Sequence, residues 1–284
     1  MVHRRGFSFT DDSAGVTTSL LPVREDGQPN GKQLFAPSLE AAEELSQLRQ
    51  IQSYAYQKLF QSVRLVFEDA WPLMSSSLHE MHRWSEDSLE RLSDHKMKPL
   101  RKLFRSDVLY SSILILSPDL VGTLCDYGKF LIFEYAAEYA DLMASISGDH
   151  ERLAFYTYHD ALAATFVAKC LISTLCADSA VLFNDIIPQA PWGSIPPLGP
   201  STIPARTVGE RVNRAHGCLT QMERTLGYLG PRYGYLEPLN EFKAQSSGIR
   251  RMLQTTYENW NRSLGVSRGQ YVSSDSSTMN GSRR

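Results

Sequence analysis

The stretch from Ser117 to Gly148 constrains the fold more than any other, because it specifies both ends of a long helix. Ser117 is suited to cap the first turn, Pro118 to occupy the first helical position, and Asp119 to lie at the positive end of the helix dipole. Gly148 can adopt the left-handed conformation that ends many helices. The sequence therefore predicts one long helix between these residues.

Apolar residues cover most of this predicted helix. They form two adjacent stripes with helical spacing: Leu120, Leu124, Leu131, Tyr135, Leu142 and Ile146, then Val121, Cys125, Gly128, Ile132, Ala136, Tyr139 and Met143. So wide an apolar arc requires neighbours on more than one side, whereas a surface helix needs a single narrower stripe. We therefore expect this helix to lie at the centre of the fold.

The remaining face of the predicted central helix is acidic. Its five carboxylates are Asp119, Asp126, Glu134, Glu138 and Asp141. Carboxylates at helical spacing can hold metal ions in bundles, but di-iron and di-manganese sites also need Glu-x-x-His pairs on facing helices. The sequence contains no such pair. We interpret the stripe as a solvated face and predict no metal-binding residue.

Composition narrows the class of protein. The chain has 284 residues, of which 42% are hydrophobic and 21% charged, as in soluble globular proteins. A formal net charge of -2 does not suit a strongly basic nucleic-acid binder. The four cysteines lie in apolar helical patterns at scattered spacings: Cys125, Cys170, Cys176 and Cys218. We expect them to be buried thiols in a reducing compartment, without disulfides or a metal knuckle.

Two features argue against a membrane protein or a targeting segment. The polar stretch that follows Arg4 and Arg5 contains no apolar core of a signal peptide. The longest apolar run, 161–177, is short for a membrane span and is interrupted by Lys169. We expect this run to be a buried core helix and the protein to be soluble.

Helical periodicity recurs along the chain, and no alternating strand pattern accompanies it. We predict a single all-α domain of about seven helices over residues 37–264, between a disordered lead-in (1–36) and a disordered Ser-rich tail (265–284). The predicted helices are 39–70 (ended by Trp71-Pro72), 73–98, 99–116, 117–148, 152–175, one from the Thr207/Glu210 capping box to Gly227 or Gly230, and 239–264, with a short turn or helix at 179–187. Between them, the Pro-rich segment 188–204 should run extended, held by Trp192.

No catalytic motif is apparent. His79 and His82 lie three residues apart, but position 83 is Arg, so the zinc motif HExxH is not met. We interpret both histidines as solvated. The chain also contains no phosphate-binding P-loop and no dinucleotide-binding glycine motif. We therefore predict no catalytic or cofactor-binding residue and no enzymatic activity.

Several segments resemble the regulatory domain of fungal-specific transcription factors. They are, in order, LYSSILILSP, DYGKFLIFEYAAEYADLM, FYTYHDALAATFVAKCLISTL and RAHGCLTQMERTLGYLGPRYGYLEPLNEFKAQSSGIRRMLQ. The likeness covers about 39–260 and is nearest to the branch of drug-resistance and secondary-metabolite regulators. It implies an all-helical regulatory domain without catalytic residues.

The chain departs from that family at one point. Family members usually carry a zinc binuclear cluster that binds DNA and begins C-x2-C-x6-C, but no cysteine here precedes Cys125. We therefore expect either a truncated or a naturally fingerless member that does not bind DNA specifically by itself. The resemblance implies a nuclear regulator of transcription, of a secondary-metabolite gene cluster, acting through other regulators, a DNA-binding partner or dimerisation.

The alternative is an all-α small-molecule-binding protein or enzyme of fungal secondary metabolism. It rests on aromatic residues that could line a pocket: Phe155, Tyr156, Tyr158 and Phe166. Aromatic residues at helical spacing more often belong to a core, so regulation is the favoured hypothesis.

Overall fold

The structure, a computed structural model, describes residues 32–61, 67–91, 98–117, 124–147, 157–191 and 206–273. Within these ranges the chain forms eight helices and no strand, and 88% of the residues are helical. The helices are α1 (Lys32–Tyr56, continued by a π-helical turn at Gln57–Gln61), α2 (Phe67–Arg91), α3 (Lys98–Ile115), α4 (Asp126–Ser147), α5 (Tyr158–Ala177), α6 (Ser179–Leu182), α7 (Val208–Arg232) and α8 (Glu237–Ser273). The predicted all-α fold is confirmed.

Helix α4 lies at the centre of the fold, as predicted. Leu131, Ile132, Ala136 and Tyr139 are all at most 2% exposed, although they point in different directions around the helix. Its neighbours α3, α5, α6 and α7 surround it, while α1 and α2 pack beyond α3, and α8 packs on α5 and α7. The buried side chains of these helices form one continuous hydrophobic core.

The beginning of the central helix was predicted incorrectly. The backbone N–H of Ser117 donates to the carbonyl of Leu114, so Ser117 ends α3 instead of capping α4. Leu124 and Cys125 are not helical, and α4 begins at Asp126, whose carboxylate suits the positive end of a helix. The intervening residues 118–123 lie outside the described residues, as does Gly148.

Two prolines do not mark the helix boundaries that the sequence suggested, a beginning at Pro37 and an end at Trp71-Pro72. Helix α1 begins at Lys32, within the predicted lead-in, and includes Pro37. Helix α2 begins at Phe67 and continues through Pro72, which was predicted to separate two helices. Each proline is the sixth residue of its helix, beyond the first turn, so its missing N–H removes one hydrogen bond to the carbonyl four residues earlier. In α2, Trp71 and Met74 are buried on either side of Pro72, and their packing favours a continuous helix.

The later helices agree better with the sequence. The capping box at the beginning of α7 is confirmed, because Thr207 Oγ1 accepts from the N–H of Glu210 while the Glu210 carboxylate accepts from the N–H of Thr207. The short helix α6 is also confirmed. Helix α7 passes the predicted stops and ends at Arg232, and Gly234 then takes a φ of 66°, which favours glycine. Helix α8 extends past the predicted end at Leu264 to Ser273.

Helix α5 combines high hydropathy with burial. In the described residues it is the one helix that is long and apolar enough to cross a membrane, and 56% of its apolar window is buried within the protein. Such burial is typical of a core helix, in agreement with the prediction for 161–177. The predicted helix began at Arg152, but 151–156 lie outside the described residues. So do 1–31, 192–205 and 274–284, with most of the Pro-rich segment and of both predicted tails.

The close packing of α8 on the beginning of α7 provides a test of the fold. A Cβ atom built on Gly209 would lie 2.2 Å from the Trp260 ring, whereas one built on Gly217 of the same helix meets no atom within 4 Å. Gly209→Ala should therefore lower the free energy of unfolding by about 1–3 kcal/mol through overpacking. Gly217→Ala should raise it by about 0.5–1 kcal/mol, since alanine favours the helix. Chemical denaturation of both variants measures the difference, and equal effects would contradict this packing of α8.

Candidate functional site

The acidic face of α4 is not simply solvated, as the sequence had suggested. Glu138 accepts two hydrogen bonds through Oε1, from Nε and Nη2 of Arg105 on α3, at 2.8 and 2.6 Å. Asp126 pairs at 3.1 Å with Lys129, which also lies 3.0 Å from Asp178. The prediction of solvent exposure holds for Asp126, Glu138 and Asp141, whose side chains are 57%, 42% and 50% exposed. Periodicity did not reveal which neighbouring helices bring cations to this face. Asp119, the remaining member, lies outside the described residues.

The most buried carboxylate of this face is Glu134, whose side chain is 13% exposed. Nη1 of Arg206, just before α7, donates to both of its oxygens, at 2.8 and 2.7 Å. Nε of Arg214 on α7 lies 3.4 Å from the same carboxylate, and Nη1 of Arg214 donates to Asp141 at 3.3 Å. These four side chains form a charge network that joins α4 to α7.

A surface cleft of about 350 Å³ opens beside this network. We call it the α4–α7 cleft; it is lined by Ala137, Asp141, Arg206, Glu210, Asn213, Arg214, Gly217 and Cys218. Small side chains form part of the lining, and charged groups supply most of the rest. Its volume is near the lower limit for small-molecule sites in proteins. The cleft could not be predicted from the sequence, because its residues come from α4 and from residues 206–218, which are distant in sequence.

The charged residues do not form a metal site. Among the residues that the structure describes, no three His, Cys, Asp or Glu side chains come close enough to hold an ion. Carboxylates of α4 are instead neutralised by arginine and lysine.

His82 is buried, which corrects the prediction of a solvated histidine. It is 5% exposed, and its Nε2 lies 2.9 Å from Oη of Tyr135 on α4, within hydrogen-bond distance. Burial, and secondarily the charge of Arg105, lower the pKa of His82 from 6.5 to about 4. Burial also raises the pKa of Tyr135. His82 is therefore neutral at physiological pH. A search for the motif HExxH could not reveal the contact between His82 and Tyr135, because Tyr135 is far away in sequence.

A second buried polar cluster joins α1 to α3 and was not anticipated. Arg49 donates to Asp107 at 3.1 Å and to Gln52 at 2.6 Å, and Gln52 donates to Ser111 at 2.5 Å. Burial raises the pKa of Asp107, although the positive charge of Arg49 opposes the shift. This arrangement satisfies polar groups between two helices.

Arg211 is a buried charged residue that the sequence analysis did not identify. It is 1% exposed and lies 5.7 Å from the centre of the Phe130 ring. One of its nitrogens donates to the carbonyl of Arg206 at 2.5 Å, and another donates to the carbonyl of Asn184. Arg211 therefore fixes the chain on both sides of the Pro-rich segment against the beginning of α7. Its Nε is buried without a hydrogen-bond partner among the described residues.

The predicted cysteines and aromatic residues differ widely in their exposure. Cys218 is buried, and burial raises the pKa of its thiol, but Cys176 is exposed, contrary to the prediction that all four are buried. None of the four cysteines forms a disulfide. Of the aromatic residues proposed to line a pocket, Tyr158 is 49% exposed and Phe166 packs edge-on against Tyr110. Phe155 and Tyr156 lie outside the described residues.

Comparisons with protein-family models, curated proteins and solved structures find no match to this chain. The function must therefore be inferred from the sequence pattern and from the geometry above.

The buried histidine predicts how stability depends on pH. Because the pKa of His82 is lower in the folded state than its ordinary value of 6.5, the unfolded state binds more protons between pH 6.5 and about 4. The free energy of unfolding of the wild type should therefore decrease as the pH falls from 6.5 to about 4. This residue should contribute up to about 3 kcal/mol of the decrease. Subtracting the urea-unfolding profile of His82→Gln from that of wild type isolates the contribution.

Tyr135→Phe is the matched control for this measurement. It removes the hydroxyl partner but leaves His82 buried, so the pH dependence should persist. A wild-type slope identical to that of His82→Gln would contradict the prediction, because it would show that folding does not lower the pKa of His82.

Proposed function

We propose that this protein is a regulator of transcription that acts in the nucleus through protein contacts, and that its targets belong to a fungal secondary-metabolite gene cluster. The observation that carries the proposal is the placement of the segments that resemble the fungal regulatory domain. Residues 126–143 lie within α4, the described part of 155–175 lies within α5, and 214–254 spans α7 and α8. These helices pack on one another around one core, as a likeness to a whole domain requires.

An exposed aromatic surface supports action through a protein partner. Tyr158 on α5 meets the rings of Tyr233 and Tyr235 edge-on, at centroid distances of 6.0 and 6.1 Å. Tyr158 and Leu236 are each 49% exposed, and Leu162 is 37% exposed. Tyrosine is enriched at protein interfaces, because its ring buries a large area and its hydroxyl stays hydrated. The partner is another transcription regulator, a DNA-binding protein or a second copy of the chain.

The distribution of basic side chains supports a partner as the source of DNA binding. Arg105 of α3 pairs with Glu138, and Arg250 of α8 lies 3.2 Å from Glu223. Lys102 donates to Ser145. Specific DNA recognition needs cations free to meet phosphates and an element that enters a groove. We therefore propose that the chain reaches promoters indirectly, and that it is not an enzyme.

One observation favours the second candidate, a small-molecule-binding protein of secondary metabolism. The α4–α7 cleft is large enough for a small metabolite. Ligand binding alone does not distinguish the two candidates, because a regulator can also carry an effector site.

A reporter assay tests the proposed function. The full chain, fused to an unrelated DNA-binding domain, should change transcription of a reporter severalfold relative to that domain alone. Tyr158→Ser should weaken the effect, since it removes the central ring of the aromatic surface. Tyr54→Ser is the control, because Tyr54 is a similarly exposed tyrosine (52%) on α1. An unchanged reporter, or specific DNA binding by the unfused chain in a gel-shift titration at physiological salt, would contradict the proposal.

A further inference from the structure

The α4–α7 cleft contains hydrogen-bond donors that the protein does not use. Arg206 contacts Glu134 through Nη1, and Arg214 contacts Glu134 and Asp141 through Nε and Nη1. In the described part of the chain, Nη2 of each guanidinium has no partner, and neither has the side-chain amide of Asn213. A guanidinium recognises a carboxylate well, because its N–H groups match the two oxygens.

The cleft also offers acceptors. Asp141, whose side chain is 50% exposed, contacts Arg214 through Oδ2. Glu210 uses Oε2 to accept from the N–H and hydroxyl of Thr207. Among the described residues, Oδ1 of Asp141 and Oε1 of Glu210 are left without a partner. Both can accept hydrogen bonds from an ammonium group.

The balance of charge decides between ligand classes. The two guanidinium groups face three carboxylates when Glu134 is included, so the site is slightly negative. A simple anion would be attracted by Arg206 and Arg214 but repelled by the carboxylates around them. A simple cation would be attracted by Asp141 but would face both arginines. A ligand that carries both charges can place its anionic group beside the arginines and its cationic group beside the carboxylates, so it avoids both repulsions.

We propose that the α4–α7 cleft binds a small zwitterion of amino acid size, with its carboxylate at the free Nη2 groups of Arg206 and Arg214 and its ammonium at Asp141 and Glu210. The volume of about 350 Å³ accommodates such a molecule. Ala137 and Gly217 leave room for its side chain. The inference concerns ligand binding alone, so it does not depend on a role in transcription.

The experiment uses the full chain and the twenty standard L-amino acids, each titrated separately by calorimetry. At least one should bind with 1:1 stoichiometry. For that amino acid, the matching amine without the carboxylate and the matching acid without the amino group should each bind at least about tenfold more weakly, since each loses a charge-assisted hydrogen bond. The absence of binding by every amino acid, or equal binding of either single-charge analogue, would overturn the proposal.

Two variants locate the site. Asp141→Asn removes one carboxylate at a half-exposed position, so the fold should be retained, and affinity should fall about tenfold. Glu223→Gln removes a comparable carboxylate of α7, which pairs with Arg250 of α8 and does not line the cleft. Its affinity should equal that of wild type. Unchanged affinity in Asp141→Asn, or an equal loss in both variants, would place binding elsewhere and overturn the assignment.

Discussion

Burial of α4 on almost every side is the constraint on which the other helices depend. Phe130, Phe133 and Tyr139 are each at most 2% exposed, and burial of one such side chain stabilises a fold by about 1.5–3 kcal/mol. No single neighbour can cover side chains that point in so many directions. Helices α3, α5 and α7 therefore pack around α4 together, α1 and α2 pack on α3, and α8 packs on α5 and α7. His82 of α2 also contacts Tyr135 of α4 directly. The arrangement of the other helices thus follows from the need to cover one helix.

The carboxylates on the acidic face of α4 pair with arginines from the neighbouring segments. Glu138 is paired with Arg105 from α3, and Glu134 with Arg206 and Arg214. Partly exposed ion pairs contribute about 0–1 kcal/mol each, far less than the apolar core. Their main effect is on alignment, because one carboxylate held by two arginines fixes how α7 lies against α4. The same network leaves guanidinium groups beside a cleft, so the contact that orients α7 also creates the candidate ligand site.

Local patterns in the sequence predicted what depends on local interactions. The apolar arc around Leu131 and the capping box at Thr207 could both be recognised, since neighbours along a helix decide them. Helix boundaries that depend on packing could not be recognised from the sequence. Pro72, for example, lies inside a helix because the surrounding side chains are buried. Contacts between distant segments, such as that of His82 with Tyr135, were also unpredictable. The cleft belongs to this class, and so the sequence indicated no candidate site.

Native-state hydrogen exchange followed by mass spectrometry tests the central role of α4 most directly. If the other helices depend on α4, amides of residues 130–140 should exchange only through global unfolding, with an opening free energy equal to that from denaturation. Amides in the exposed part of α8 after Trp260 should exchange through smaller openings of lower free energy. Exchange of 130–140 at a lower opening free energy than the core of α7 would contradict this account, because it would show that the fold persists while α4 opens.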